Sequence, residues 1–295
     1  MRRRLEAGWM VAALWLAACG AGKPPGEEPA LAKADDRATI RQLFEAAAAC
    51  GNRYRCPPAD ELDRLAQQPG EGPVLDMAFD LMTDPLVRSF DRLGTVAFEV
   101  ARAWAGSRVE AGTFDAAAQR TFMAGIRRIL GADSSTFVIP AYSILDGTIG
   151  YAIPETRALF VAEAVDPKRS LDEVGHATQG LRHYTSDLVQ VGTWLKSQDE
   201  RVMRAGMSLL DNVDHSLIKQ EAEELPLLLE VAKRSDVPVD VAIAMVAHVK
   251  SHEDNAFLPV LTALGGHANP EVQAKAKDAT EFVRQAEAAR AKRAN

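Results

Sequence analysis

An all-α fold ending in stacked helical hairpins is predicted for this chain by two observations. From Asp35 onward, apolar residues recur every three to four positions, and runs of alternating β-branched residues are almost absent. In the C-terminal third, one pattern of apolar, Asp/Asn and valine positions is repeated three times in register.

The chain opens with Arg2, Arg3 and Arg4, followed by an uncharged run from Ala7 to Ala18. That run is about half of the roughly twenty residues needed to span a bilayer, so it reads as an export signal rather than as a retained helix. Leu16-Ala17-Ala18-Cys19 resembles the lipobox of bacterial lipoproteins. The resemblance implies that residues 1–18 are removed, that Cys19 becomes the lipidated N-terminus, and that its acyl chains hold the protein at a membrane. Gly20, where aspartate signals inner-membrane retention in some bacteria, implies the outer membrane with the domain in the periplasm. Cleavage takes away three arginines and one glutamate and moves the formal charge from −7 to −9. An acidic balance of that size argues against nucleic acid or an anionic lipid surface as the main partner.

Residues 19–34 form a tether from Cys19, because a stretch this rich in proline, glycine and small polar residues cannot bury a core. Residues 35–136 are expected to be helical. Ile40, Leu43, Phe44 and Ala47 lie on one helical face, as do Leu75, Ala78, Phe79 and Met82. Leu86, Phe90, Leu93, Ala97 and Val100 are read as the stripe of one longer helix. Cys50 and Cys56 remain as an even pair in an oxidising compartment, and a disulfide is expected across the residues between them. A metal pair is the rival reading, but no second pair or nearby histidine completes it.

Residues 137–291 are read as helical repeats, clearest from Leu188. Three units start at Leu188, Leu225 and Leu258, with inner-stripe residues Val191, Leu228 and Leu261 and then Trp194, Val231 and Leu264. Asp199, Asp236 and Asn269 follow at the turn, where a short polar side chain can accept the free amides of a helix start. Val202, Val239 and Val272 open the second helices, and Pro238 and Pro270 sit at their beginnings. One such hairpin cannot bury its apolar face alone, so neighbours must stack. A looser fourth unit is expected from Ile139-Pro140 through Tyr142, Leu145 and Ile153, followed by an inserted helix between Asp166 and Tyr184.

This alternation resembles HEAT and armadillo-like repeats. The resemblance implies a solenoid that binds other proteins and no catalytic residue. In the HEAT family an arginine usually follows the valine; here those positions hold Met203, Asp240 and Gln273, which leaves the arginine–aspartate ladder of that family open.

His248 and His252 lie one turn apart near the end of a predicted helix and are the candidate metal ligands. They lack the His-Glu-x-x-His pattern, and a helix C-terminus attracts histidine through its dipole, so no metal site is assigned to them. Ser216-Leu217-Ile218-Lys219 matches a Ser-x-x-Lys string but lacks its partner motifs. Glu221, Glu223 and Glu224 are read as a solvated cluster or the first turn of the helix near Leu225, Met203 and Met207 as core, and Arg284, Arg290, Lys292 and Arg293 as a frayed, solvated tail. No catalytic residue and no cofactor is expected. The function expected is non-enzymatic binding of a protein partner by a membrane-anchored scaffold. An envelope enzyme acting on glycan or peptidoglycan, and a structural or pilot component of a secretion or motility complex, are the alternatives.

Overall fold

The computed structural model describes residues 37–50, 56–68, 72–132, 135–182, 188–213 and 220–294. Among these, every regular element is helical: fifteen α-helices, a π-turn at Gln220–Glu224 and a 3-10 turn at Asn255–Phe257. The signal segment, Cys19, the tether and the Ser216–Lys219 string lie outside the described residues. No described helix is long and apolar enough to cross a membrane.

Four helices, α1 (Arg37–Ala49), α2 (Pro57–Gln67), α3 (Pro73–Thr83) and α4 (Arg92–Glu110), pack around one another. Ile40, Phe44 and Ala47 of α1 and Leu75, Ala78, Phe79 and Met82 of α3 are buried, as their helical spacing requires. The centre of this region is aromatic. Trp104 of α4 lies parallel to Phe122 of α5 (Ala116–Gly131) at 6.3 Å, and Phe79 and Phe114 meet Phe122 edge-on at 5.7 and 6.0 Å. Arg108 is buried with its guanidinium 3.8 Å from the Trp104 ring centroid, and it donates to the carbonyls of Ala66 and Gln68, tying the end of α2 to α4.

Cys50 and Cys56 form the expected disulfide, with sulfurs 2.16 Å and Cα atoms 5.9 Å apart, joining the end of α1 to the start of α2. Replacing both cysteines with serine is expected to lower the unfolding free energy by about 2 kcal/mol, because the unfolded chain regains the entropy of a short closed loop. Urea denaturation in non-reducing buffer measures this. Equal midpoints for the two proteins would mean that packing alone closes the loop.

The stripe read through Leu86 and Phe90 does not form a single helix. α4 starts at Arg92, and Leu86 and Phe90 are 87% and 80% exposed. Pro85 and two aspartates account for the break. Asp84 accepts the Leu86 amide at 2.9 Å and Asp91 accepts the Arg88 amide at 3.1 Å, so side chains build turns where helical hydrogen bonds would have run. Ala97 and Val100 are buried as expected.

The chain continues through α6 (Val138–Leu145), α7 (Thr148–Tyr151), α8 (Thr156–Val165) and α9 (Leu171–Leu181). It then forms three hairpins: α10 (Val189–Leu195) with α11 (Glu200–Asn212), α12 (Leu225–Ala232) with α13 (Val239–His252), and α14 (Leu258–Leu264) with α15 (Pro270–Ala294). The unit expected from Ile139 is divided differently. Gly147, at φ 120°, separates α6 from α7 in a conformation that side chains resist, and the stacked hairpin is α8 with α9. The supposed insertion after Asp166 therefore carries the second helix of a unit. Asp166 takes the turn position of Asp199 and Asn269: each accepts the amide two residues on, Lys168 at 2.9 Å, Arg201 at 2.8 Å and Glu271 at 2.8 Å. Asp236 departs from this pattern. Pro238 occupies the cap of α13, and Asp236 holds the Arg234 guanidinium at 2.7 Å instead.

Second helices stack in sequence, α9 on α11, α11 on α13 and α13 on α15. Gly206 permits close packing inside one hairpin, since a Cβ there would come within 2.9 Å of the Leu195 amide nitrogen. Each turn also donates to the turn before it. Arg201 reaches the carbonyls of Asp166 and Arg169, Arg234 those of Leu195 and Ser197, and His267, in the register position of Arg234, lies 3.1 Å from the Val237 carbonyl. These bonds cross-tie the hairpins along the edge that carries the tight turns. Arg290 is held by Glu253 through its side chain at 2.6 Å and its carbonyl at 2.9 Å, so that residue of the basic tail is docked rather than frayed.

Candidate functional site

The edge opposite the tight turns carries the connections between hairpins, and there α13 presents His248 and His252 on one face. His252 falls in the last turn of α13, where the helix dipole favours a cation, and both rings also engage a carboxylate. The Nε2 atom of His248 lies 2.6 Å from Glu224 Oε1, and its Nδ1 lies 2.7 Å from Asp211 Oδ1. The Nε2 atom of His252 lies 2.9 Å from the same Glu224 oxygen and 3.3 Å from His248 Nε2. The two rings meet edge to face, and the His252 ring is stacked on Phe257 at 4.5 Å.

Three segments build this cluster. α11 supplies Asp211 from its last turn, the π-turn entering α12 supplies Glu224, and α13 supplies both histidines. Glu224 stands at the start of α12, one of the two places expected for it, but its side chain is fully buried rather than solvated, whereas Asp211 is half exposed. Burial opposes the charge on Glu224, but hydrogen bonds from and charges on the two imidazoles outweigh it and lower the carboxyl to about 2. Burial likewise opposes a charge on His248, and hydrogen bonds to Asp211 and Glu224 with their charges prevail, raising it to about 9. A ring flanked by a carboxylate at each nitrogen donates to both only as imidazolium. In this form His248 is a buried cation between two anions.

Asp211 and Glu224 escape the sequence reading because both are remote from His248, at positions 37 and 24 residues away. Only the stacking of α11 on α13 and the return of the chain through the π-turn bring them together. The signal that was readable was the spacing of His248 and His252, which puts two imidazoles on one face.

A second buried polar group, Glu163 of α8, accepts from Tyr142 at 2.7 Å and Arg169 at 2.6 Å, while Arg169 also donates to the Leu130 carbonyl. Burial and the bond to Glu163 push the Tyr142 hydroxyl well above its ordinary range. This network fastens α8 to α5 and α6 and leaves its groups committed to one another.

Along the second helices, a shallow groove between α11 and α13 is lined by Glu200, Arg204, Pro238, Val239, Asp240 and Ile243. Arg204 bridges the two units, 2.5 Å from Asp240 and 3.0 Å from Glu200. A cross-unit arginine–aspartate tie is thus present, one residue beyond the position the HEAT resemblance would give it. Both partners are solvent-exposed enough that the pair contributes less than about 1 kcal/mol.

Compared with known proteins, the chain matches no family model, no curated protein and no solved structure.

Proposed function

We propose that this protein is a bacterial envelope lipoprotein, anchored through Cys19, whose HEAT-like hairpins bind another protein without catalysing a reaction. The observation that carries this reading is the groove between α11 and α13. Its lining combines apolar Pro238, Val239 and Ile243 with charged Glu200, Arg204 and Asp240. Protein-binding patches join apolar surface to charged and polar groups in this way. The cross-ties between turns hold the two helices that form it in fixed relation, which lowers the ordering cost of binding.

Photo-crosslinking in cells that make the full-length protein tests this. A crosslinker at Val239 or Ile243 is expected to trap one discrete protein adduct, and one at exposed Arg120 of α5 is expected to trap none. Cys19→Ala is expected to release the protein from the membrane fraction. Absence of an adduct from both groove positions would overturn the scaffold reading, and membrane retention of the Cys19→Ala protein would overturn the anchor.

A further inference from the structure

We propose that Glu224, His248 and His252 form a binding site for a divalent transition-metal ion of the zinc class, fixed to the edge where the hairpins are connected. The inference stands apart from the scaffold reading, since it concerns the opposite edge of the array.

The donor set selects the metal class. Two imidazole nitrogens and one carboxylate oxygen suit zinc and its neighbours, whereas magnesium and calcium take oxygen ligands. All three donor atoms lie within 4.8 Å of one another and belong to buried or nearly buried residues. The spacing fits as well. A tetrahedral ion with metal–nitrogen bonds of about 2.0–2.1 Å holds adjacent donors about 3.3–3.4 Å apart. His248 Nε2 and His252 Nε2 are 3.3 Å apart and converge on one point beside Glu224 Oε1. That oxygen, at 2.6 and 2.9 Å from the two nitrogens, would withdraw by about half an ångström as the ion takes the place of the hydrogen bonds.

The surroundings are those of a built site. Asp211 at 2.7 Å from His248 Nδ1 orients the ring and keeps a proton on that nitrogen, which leaves Nε2 to ligate. Phe257 holds the His252 ring by stacking. Glu224 closes a π-turn, a local geometry that recurs at functional sites. Charge balances, because one divalent cation offsets the Glu224 and Asp211 carboxylates once both imidazoles are neutral. Each Nε2 gives up the proton it donates to Glu224 when it ligates: that of His248 leaves to solvent, and that of His252 leaves with it or passes to its own Nδ1. Among the described residues three side chains supply donors, so a fourth position is left for water or another donor.

The experiment uses the full-length protein in detergent, purified without a histidine tag and stripped with a chelator. Zinc chloride is titrated in calorimetry with a competing chelator, and cobalt chloride is titrated with absorbance as the readout. The expected result is one equivalent of zinc bound at sub-micromolar Kd, with a visible cobalt band characteristic of four- or five-coordination. His252→Ala is expected to weaken binding by at least about 100-fold, and Asp211→Asn, at a half-exposed carboxylate, by about tenfold. The Asp211 variant guards against misfolding, and circular dichroism of each variant checks its helix content. Absence of stoichiometric zinc binding by the unmodified protein, or binding that both substitutions leave unchanged, would overturn the proposal.

Discussion

Replacing Glu224 with alanine is expected to destabilise the metal-free protein by about 3–5 kcal/mol at pH 7, because it strands the buried His248 imidazolium beside a single carboxylate. The pH dependence carries the diagnostic. His248 is raised from 6.5 to about 9, so its contribution is complete below pH 6.5 and is lost as pH rises through 9. Glu224 is lowered from 4.5 to about 2, so its contribution is complete above pH 4.5 and is lost as pH falls through 2. The chelator-treated protein should therefore be most stable between pH 4.5 and 6.5 and weaken on either side. Glu224→Ala should remove the Glu224 part of the acid limb and flatten the alkaline one. Thermal midpoints measured from about pH 2 to about pH 9 decide the matter. A variant whose profile runs parallel to the parent at every pH would show that the cluster is not a coupled pair in solution.

Trp104→Ala is expected to cost a comparable amount, about 3–5 kcal/mol, for a different reason. The indole is 1% exposed, is stacked on Phe122 and meets Phe114 edge-on at 6.4 Å. Its removal leaves a cavity that the surrounding helices cannot fill without moving, and it strips the Arg108 guanidinium of the ring it lies over. Trp104→Phe keeps the stack and most of the volume, so its loss should be less than half as large. Urea denaturation monitored by circular dichroism gives both values. A loss below about 1 kcal/mol for the alanine variant would mean that the N-terminal bundle is not centred on this ring. Unlike Glu224→Ala, this substitution should shift stability by the same amount at every pH between 5 and 8, since the charged group over the ring is the Arg108 guanidinium, which stays protonated throughout.

Local rules explain which parts of the fold were legible. The stripes of α1 and α3 follow from their spacing because a helix of any orientation must bury the same face. Trp194, Val231 and Leu264 are core for that reason, and the Cys50–Cys56 bond joins two cysteines only six positions apart. Where local signals compete, apolar spacing does not decide the outcome. Leu86 and Phe90 fit a helical period, but Pro85, Asp84 and Asp91 stop the helix with side-chain hydrogen bonds, and a periodicity count does not weigh these. Ahead of Leu188, Ile139-Pro140 imitates a unit start, while the phase of the hairpin rests on Asp166, one hairpin earlier than Asp199.

The sequence by itself determined an all-helical chain, the register of its last three hairpins and the facing of His248 with His252, since each depends on residues within a turn or two of one another. The tertiary structure alone decided that Glu224 is buried, that Asp211 reaches His248 Nδ1, and that Arg204 meets Asp240 across two units. Those meetings depend on the stacking of α11 on α13 and on the path of the connection between them. Sequence periodicity records which face of a helix is apolar, but it does not record which neighbour that face will meet.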